Sequence, residues 1–200
     1  MFVTNPDLQN LRQGDIIRGL LYPYMDCESL RVVATLNNQT GEETFGPGNR
    51  PFKKYGKPFH DALIPVLSDY SIILSHCCDL QVQEGETRPA APAFVIAPLF
   101  PIPNDVLNDS RKLANFRQNG QHYQNSFYLE TITPLSDNHA WVDFNRMVSI
   151  PISNYKRALT GKVLQMTDAI RVRFKTKLGL HFGRPTNEER IAGLYPVSLD

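Results

Sequence analysis

The chain has little cysteine, almost no net charge and no long apolar run. Its three cysteines are an odd number and Cys77 and Cys78 are adjacent, so a framework of disulfides is not expected. The 21 basic and 20 acidic residues nearly cancel, so overall charge indicates neither a nucleic-acid nor a membrane partner. No stretch approaches the ~18 apolar residues of a membrane span. The N-terminus lacks the charged and apolar segments of a secretory signal. These absences predict a cytoplasmic protein with reduced thiols and no membrane partner.

Complete catalytic signatures are also missing, since the sequence has no glycine-rich phosphate loop, nucleophile elbow or kinase motif. It does have 15 prolines among its 200 residues, above the average of about 5%. The prolines fall mostly between apolar runs, which predicts many short elements joined by structured loops. A hydrophobic content of 42% is typical of a globular protein, and a chain of this length needs no disulfide or metal to support its core. No cofactor is expected.

Short apolar and β-branched runs recur along the chain and predict a mostly β, that is β-rich α+β, fold. The predicted strands lie at residues 16–21, 30–36, 70–76, 93–98, 126–132 and 140–152. The last two form a hairpin whose turn contains Asp137 and Asn138.

Two helices are predicted beside these strands. One covers residues 111–117, and the other begins near Thr167 and ends near Leu180, where apolar residues repeat every four positions. Short strands punctuated by glycine and proline favour a small barrel or a strongly bent sheet. The predicted organisation is a single domain over residues 1–186, with insertions at about 37–60 and 104–124. A tail at residues 187–200 follows.

The most reactive side chains follow the central apolar strand. They are Ser75, His76, Cys77, Cys78 and Asp79. One interpretation is a site in which a cysteine thiolate is the nucleophile and a histidine or an aspartate activates it. The other is structural, with one cysteine as a small buried residue and Asp79 capping the next turn. On an extended strand neighbouring side chains point to opposite faces, so a partner would come from elsewhere, with Asp15, His60 and Asp61 as the candidates.

A zinc site is a weaker alternative at the same place. His76 and either adjacent cysteine have the chemistry of zinc ligands, as do Cys27 and His60. No pair of ligands with the usual short spacing occurs, so no metal is expected.

Basic and aromatic residues alternate between residues 50 and 60. The candidates for binding nucleic acid are Arg50, Lys53, Lys54, Tyr55, Lys57 and His60. Lysines would contact phosphates while aromatic rings stack on bases. Alternatively, the rings pack on the domain and the lysines are solvated. The same two interpretations apply to the basic face of the last helix, formed by Arg171, Arg173, Lys175 and Lys177.

Three short strand motifs follow one another along the chain. They are Gly14-Asp15-Ile16-Ile17, Ser71-Ile-Ile-Leu-Ser75 and Phe94-Val-Ile-Ala-Pro98, and a strand pair and a closing helix come after them. This order resembles that of MazF/PemK-like proteins, which are toxins of type II toxin–antitoxin pairs. The resemblance implies an SH3-like barrel, RNA cleavage, and single-stranded RNA or an antitoxin as partner. Leu74-Ser75-His76-Cys77-Cys78-Asp79 looks like a Leu-Ser-x-x-Cys-Asp variant of uncharacterised bacterial and phage proteins.

Two departures from the family pattern bear on its chemistry. An Arg-Pro pair precedes the central strand in the toxins, whereas Pro65-Val66 and Asp69-Tyr70 stand near that place here. A threonine or serine ends the next strand in the toxins, and Leu99-Phe100 replaces it. The fold can therefore be shared while the ribonuclease activity is not.

The function expected from the sequence is that of a bacterial or phage conflict-system protein that binds nucleic acid or a protein partner, with an oligomer as one possible state. If it cleaves RNA, the candidate residues are Asp15, Ser75, His76, Asp79 and the basic loop. A cysteine-dependent enzyme that uses Cys77 or Cys78 is one alternative. A non-catalytic accessory protein is the other.

Overall fold

The computed structural model describes residues 1–23, 31–36, 39–40, 43–47, 62–63, 66–67, 70–118, 125–130 and 139–183. The chain divides into two compact units. One contains Met1–Gly19 and Asp69–Asp200, and the other is Leu20–Ser68. The insertion predicted at about 37–60 falls within the second unit, and its loop at residues 50–60 lies outside the described residues.

The described strands are β1 (Ile16–Ile17), β2 (Tyr22–Pro23), β3 (Arg31–Leu36), β4 (Glu43–Pro47), β5 (Ala62–Leu63), β6 (Val66–Leu67), β7 (Ser71–Ile73), β8 (Ala93–Pro101), β9 (Ser126–Leu129), β10 (Ala140–Asp143), β11 (Val148–Pro151) and β12 (Lys162–Leu164). The described α-helices are α1 (Asn104–Leu107), α2 (Ser110–Arg117), α3 (Tyr155–Thr160) and α4 (Asp168–Phe182). The predicted mixed, sheet-rich α+β class is confirmed.

The first unit is built on an antiparallel sheet of seven strands, in the order β12-β1-β7-β8-β10-β9, with β11 also paired to β8. Strands β12 and β9 end this path, so the sheet is not closed within the described residues. Closure into an SH3-like barrel stays a prediction. In the second unit β2 pairs with β6, and β3 pairs with both β4 and β5.

The predicted strand over residues 140–152 is interrupted. Strands β10 and β11 pair with successive parts of β8, and a 3-10 turn over Phe144–Arg146 separates them. Asp143 causes the break, because its Oδ1 accepts a hydrogen bond from the Asn145 N–H at 2.9 Å. The Asp143 and Arg146 side chains also form an ion pair at 3.5 Å.

Both predicted helices are confirmed as α2 and α4. Asp109 caps α2, since its Oδ1 accepts hydrogen bonds from the Arg111 and Lys112 N–H groups at 2.9 and 3.0 Å. Helix α3 was not predicted, because six residues are too few to show a helical period. None of the helices in the described part of the chain is long and apolar enough to cross a membrane.

The core of the first unit lies between the sheet and α4. Phe174 of α4 is fully buried and packs edge-to-face on Phe127, with ring centroids 5.0 Å apart. Gly14 lies at the edge of this core with a φ of +86°. The positive φ favours glycine, and a Cβ at this position would lie 2.7 Å from the Met166 sulfur, so the Met166 side chain would have to shift.

Candidate functional site

The predicted cluster at the end of β7 is not extended. Residues Cys77–Leu80 form a 3-10 turn, and His76 is its N-cap. The Nδ1 of His76 accepts a hydrogen bond from the Cys78 N–H at 3.3 Å, and the Asp79 N–H donates to the His76 carbonyl at 3.1 Å. The expectation that these side chains alternate between two strand faces is therefore wrong. His76 caps the turn that contains Asp79, because its ring lies next to the exposed N–H groups, and the capping of a later turn by Asp79 stays a prediction.

Ser75 has a structural contact. Its Oγ accepts a hydrogen bond from the Val95 N–H at 2.7 Å, and its own N–H donates to the Val95 carbonyl at 3.3 Å. These two bonds continue the β7–β8 pairing after β7 ends at Ile73. Ser75 therefore holds the turn against β8.

His76 also contacts helix α4. Its Nε2 lies 2.7 Å from the Lys175 Nζ. A neutral imidazole has one acceptor nitrogen, so the bonds from Lys175 and from the Cys78 N–H compete for it. Cys78 and Asp79 are exposed and Cys77 is half-buried. The predicted use of either thiol as a nucleophile stays a prediction.

Asp15 lies elsewhere, in a buried ion pair. Its Oδ2 is 2.6 Å from the Lys162 Nζ, and the two side chains are 1% and 0% exposed. The Lys162 ammonium also donates to the Asn10 carbonyl at 2.9 Å and to the Gln165 Oε1 at 3.2 Å. The Arg12 N–H donates to the Asp15 Oδ2 at 2.7 Å, whereas Oδ1 is buried and has no hydrogen-bond partner in the described part of the chain.

Burial raises the pKa of Asp15 to about 6, and the hydrogen bond and the charge of Lys162 act in the opposite direction. The carboxylate is therefore paired and inaccessible at neutral pH. The predicted catalytic set thus divides into a buried ion pair at Asp15 and a solvent-facing turn at His76–Asp79.

The remaining predicted site residues lie outside the described residues. These are Arg50, Lys53, Lys54, Tyr55, Lys57 and His60, together with Cys27 and Asp61. Within the described ranges, no group of three or more His, Cys, Asp or Glu side chains is placed to hold a metal ion.

A cavity of about 550 Å³ opens elsewhere on the first unit. It lies among the end of α2, strand β9, the start of β10 and helix α4. Its described lining residues are Met1, Arg117, Phe127, Tyr128, Glu130, His139, Ile170 and Arg173. The volume falls within the roughly 300–1,000 Å³ of typical small-molecule sites.

Three polar side chains form a hydrogen-bonded network in this cavity. The His139 Nε2 lies 3.2 Å from the Arg117 Nη2, and its Nδ1 lies 2.7 Å from the Tyr128 hydroxyl. A guanidinium only donates, so the Nε2 accepts from Arg117. A neutral His139 then carries its hydrogen on Nδ1 and donates it to the Tyr128 oxygen. The network therefore fixes one tautomer of His139.

Burial raises the pKa of Tyr128, and a hydrogen bond from Arg117 opposes this effect. The nearby charge of Glu130 raises the pKa further. Tyr128 therefore stays a neutral phenol at neutral pH. The cavity combines this phenol and an imidazole with the positive charges of Arg117 and Arg173.

Aromatic packing holds the network in place. The Phe116 ring packs edge-to-face on Tyr128 and on Trp141, with centroid distances of 6.3 and 5.9 Å. Trp141 continues to Phe100 at 5.9 Å, and the Arg146 guanidinium lies 4.9 Å from the centre of the Phe100 ring. Because Phe116 and Arg117 are neighbours on α2, this packing holds the helix end from which Arg117 extends, and the bond to His139 places its guanidinium.

Of the residues in this site only Arg173 was singled out from the sequence, although one further signal was available. In the observed pairing of β9 and β10 Tyr128 lies opposite Trp141, so His139 is its diagonal neighbour on the same face of the sheet. The register of the hairpin would have placed His139 beside Tyr128. Nothing in the sequence places Arg117 and Arg173 there, because each comes from a separate helix.

The arrangement presents hydrogen-bond donors and positive charge to a ligand, which favours an anion. Comparisons of the chain with protein-family models, curated proteins and solved structures found no match, so the functional interpretation depends on the geometry of this cavity.

Proposed function

We propose that this protein binds single-stranded RNA, with the cavity around His139 as the contact for the phosphate. The observation that carries the proposal is the convergence of Arg117 and Arg173 on one cavity whose imidazole holds Arg117 in place. The resemblance to MazF/PemK-like proteins adds to the proposal a closed SH3-like barrel and a role in a bacterial or phage conflict system.

The local charge supports an anionic ligand, although the chain as a whole has a net charge of only +1. Among the described lining residues two are arginines and one, Glu130, is acidic. Glu130 is 62% exposed and its Oε2 lies 3.8 Å from the Met1 amino group, so its charge is partly balanced and solvated. Phosphate contacts of this kind supply most of the affinity of proteins for nucleic acids.

The neighbouring aromatic residues support a single-stranded ligand. Phe100 and Trp141 are half-buried cross-strand partners on β8 and β10. Unpaired bases stack on such rings, and each stacked base contributes about 1–3 kcal/mol. Duplex bases are already stacked on one another, so they gain less from this surface.

Binding is measured through Trp141, which is the single tryptophan of the chain and packs on Phe116 beside Tyr128. We expect a single-stranded oligouridylate to change its fluorescence, with an affinity that falls as salt is added. Arg117→Gln and Arg173→Gln should each weaken binding about tenfold and reduce the slope against log salt by about 0.7. The matched control is Arg111→Gln, an exposed arginine at the other end of α2.

If both cavity variants bind RNA as the wild type does, the cavity is not the RNA site. If binding is absent in the wild type, the RNA proposal itself is wrong.

Cleavage of the bound RNA is a second candidate function. It is favoured by the bond between His139 and Tyr128, because an imidazole beside a phenol offers groups for general acid–base catalysis. Expression from an inducible promoter tests it together with the proposed conflict role. We expect growth arrest that Arg117→Gln relieves and Asp79→Ala does not. Arrest that Asp79→Ala alone relieves would return the activity to the turn after β7.

A further inference from the structure

The cavity has two guanidinium groups that come from different elements. Arg117 ends α2 and Arg173 lies within α4, and both line the same space. A phosphodiester carries one negative charge, whereas a terminal phosphate monoester carries about −1.5 to −2 at pH 7. The paired charges therefore match a monoester better than a diester.

The first guanidinium is held ready for a ligand. Arg117 donates to His139, His139 contacts Tyr128, and the Tyr128 ring packs on Phe116, the residue that precedes Arg117. These contacts begin and end on neighbouring residues of α2, so each side chain restrains the next. A guanidinium has five donor hydrogens in a fixed fork, which suits two phosphate oxygens at once. Ordering the donor before binding removes an entropy cost that the ligand would otherwise carry.

The size of the cavity limits how much of a nucleic acid enters it. A volume of about 550 Å³ suits one small ligand, such as a single nucleotide, and not a run of several nucleotides. A nucleotide with a monoester phosphate is found at the end of a strand or free in solution.

We infer that the cavity binds the phosphate monoester of a terminal nucleotide. Arg117 and Arg173 contact the phosphate, and His139 and Tyr128 are positioning residues. This inference rests on the proposed function and adds to it the form of the phosphate. The shared chemistry is a nucleoside monophosphate group, which an RNA end and a free nucleotide both provide.

The test compares ligands by Trp141 fluorescence at one salt concentration. The ligands are one six-nucleotide RNA with a 5′-phosphate, a 3′-phosphate or hydroxyl groups at both ends, together with uridine monophosphate and inorganic phosphate. We expect either the 5′-phosphorylated or the 3′-phosphorylated RNA to bind at least tenfold more tightly than the RNA with hydroxyl groups at both ends. Arg117→Gln and Arg173→Gln should remove this preference, and Arg111→Gln should keep it.

Each other outcome has a distinct meaning. Equal binding of the phosphorylated and hydroxyl RNAs overturns the inference and leaves the RNA proposal standing. Binding of uridine monophosphate as tight as that of the best RNA supports a monoester site but overturns the RNA proposal. If inorganic phosphate binds as tightly as uridine monophosphate and the best RNA, the inference that the site recognises a nucleotide is overturned. Binding of no ligand overturns both proposals.

The positioning residues are tested by the ratio of affinities for the phosphorylated and hydroxyl RNAs. Tyr128→Phe keeps the ring that packs on Phe116 and removes the oxygen that His139 and Arg117 contact. We expect the ratio to fall at least threefold while the thermal unfolding temperature changes little. His139→Ala should lower the ratio in the same direction. If the ratio is unchanged in both folded variants, these residues do not position Arg117.

Discussion

The Asp15–Lys162 pair and the Arg117–His139–Tyr128 network lie in the same unit but in opposite surroundings. Lys162 is completely buried and its three donor hydrogens have three protein acceptors, so it has nothing left to offer a ligand. Arg117 faces an open cavity, with donors in excess of those that hold it. The residue of the sequence motif, Asp15, therefore supports the fold. Of the described residues that line the cavity, Arg173 belongs to a feature singled out in the sequence, the basic face of the last helix, and the others belong to none.

Substitution of Lys162 separates the two regions most strongly. Lys162→Met leaves the buried Asp15 carboxylate without its counter-charge, so we expect the free energy of unfolding at pH 7 to fall by about 3–5 kcal/mol. The charge of Arg117 lies at an open cavity, so Arg117→Met should lower the free energy of unfolding by less than about 1 kcal/mol. Urea denaturation measures both values.

The double variant Asp15→Asn with Lys162→Met is the control, since it removes both buried charges. It should recover most of the lost stability. A loss below about 1 kcal/mol for Lys162→Met alone would mean that the pair is no more important to stability than the open network.

The pH dependence of stability sharpens the comparison, because Asp15 has a folded-state pKa of about 6 against an ordinary value of 3.8. A raised folded-state pKa means that the native state holds the proton more tightly. The contribution of Asp15 to stability is therefore complete below about pH 4 and is lost as the pH rises through 6. At about 1.4 kcal/mol per pKa unit, the loss is about 3 kcal/mol.

The measurement is the difference in unfolding free energy between the wild type and Asp15→Asn, at intervals from pH 4 to pH 7. We expect this difference to decrease by about 2.4 kcal/mol over that range, since about two fifths of the unfolded chains still hold the proton at pH 4. A difference that stays constant would show that the carboxylate titrates alike in the folded and unfolded states.

The smallest effects on stability are expected at the turn after β7. There a hydrogen-bonded side chain, Ser75, and an exposed one, Asp79, lie four residues apart. Ser75→Ala removes the acceptor of the Val95 N–H, so we expect a loss of about 1–3 kcal/mol. Asp79→Asn changes an exposed side chain and should alter stability by less than about 0.5 kcal/mol. Thermal unfolding of the two variants ranks them, and a larger effect of Asp79→Asn would reverse our view of the turn.

Much of the fold was predictable because its signals are local. The run from Ile72 to Leu74 indicates a buried strand by itself, and the repeat of Ile170, Phe174 and Leu178 indicates a helix. The predicted strand at 140–152 is interrupted at Asp143, whose side chain accepts a backbone hydrogen bond. The periodicity of apolar residues gives no sign of such a bond.

The sites were less predictable, since they depend on contacts between distant residues. Asp15 meets Lys162 across 147 positions of sequence, and Arg117 meets His139 only after the hairpin register is set. A cluster of reactive residues in sequence, such as His76 to Asp79, is thus not by itself a site. Ser75 is held by β8, and His76 is bonded to the backbone of the turn and to Lys175 of α4, whereas Cys78 and Asp79 are exposed.

The position of β1 in the sheet has a consequence for synthesis. Strand β1 pairs with β7 on one edge and with β12 on the other. The Phe2–Met166 bridge also joins the first residues of the chain to the segment that follows β12. Ribosomes add about 5–20 residues per second, so β1 waits roughly 7–30 s for the partner at residues 162–164 to be made. During that time its outer edge is unpaired and open to other chains, which makes the nascent protein a candidate for protection by chaperones.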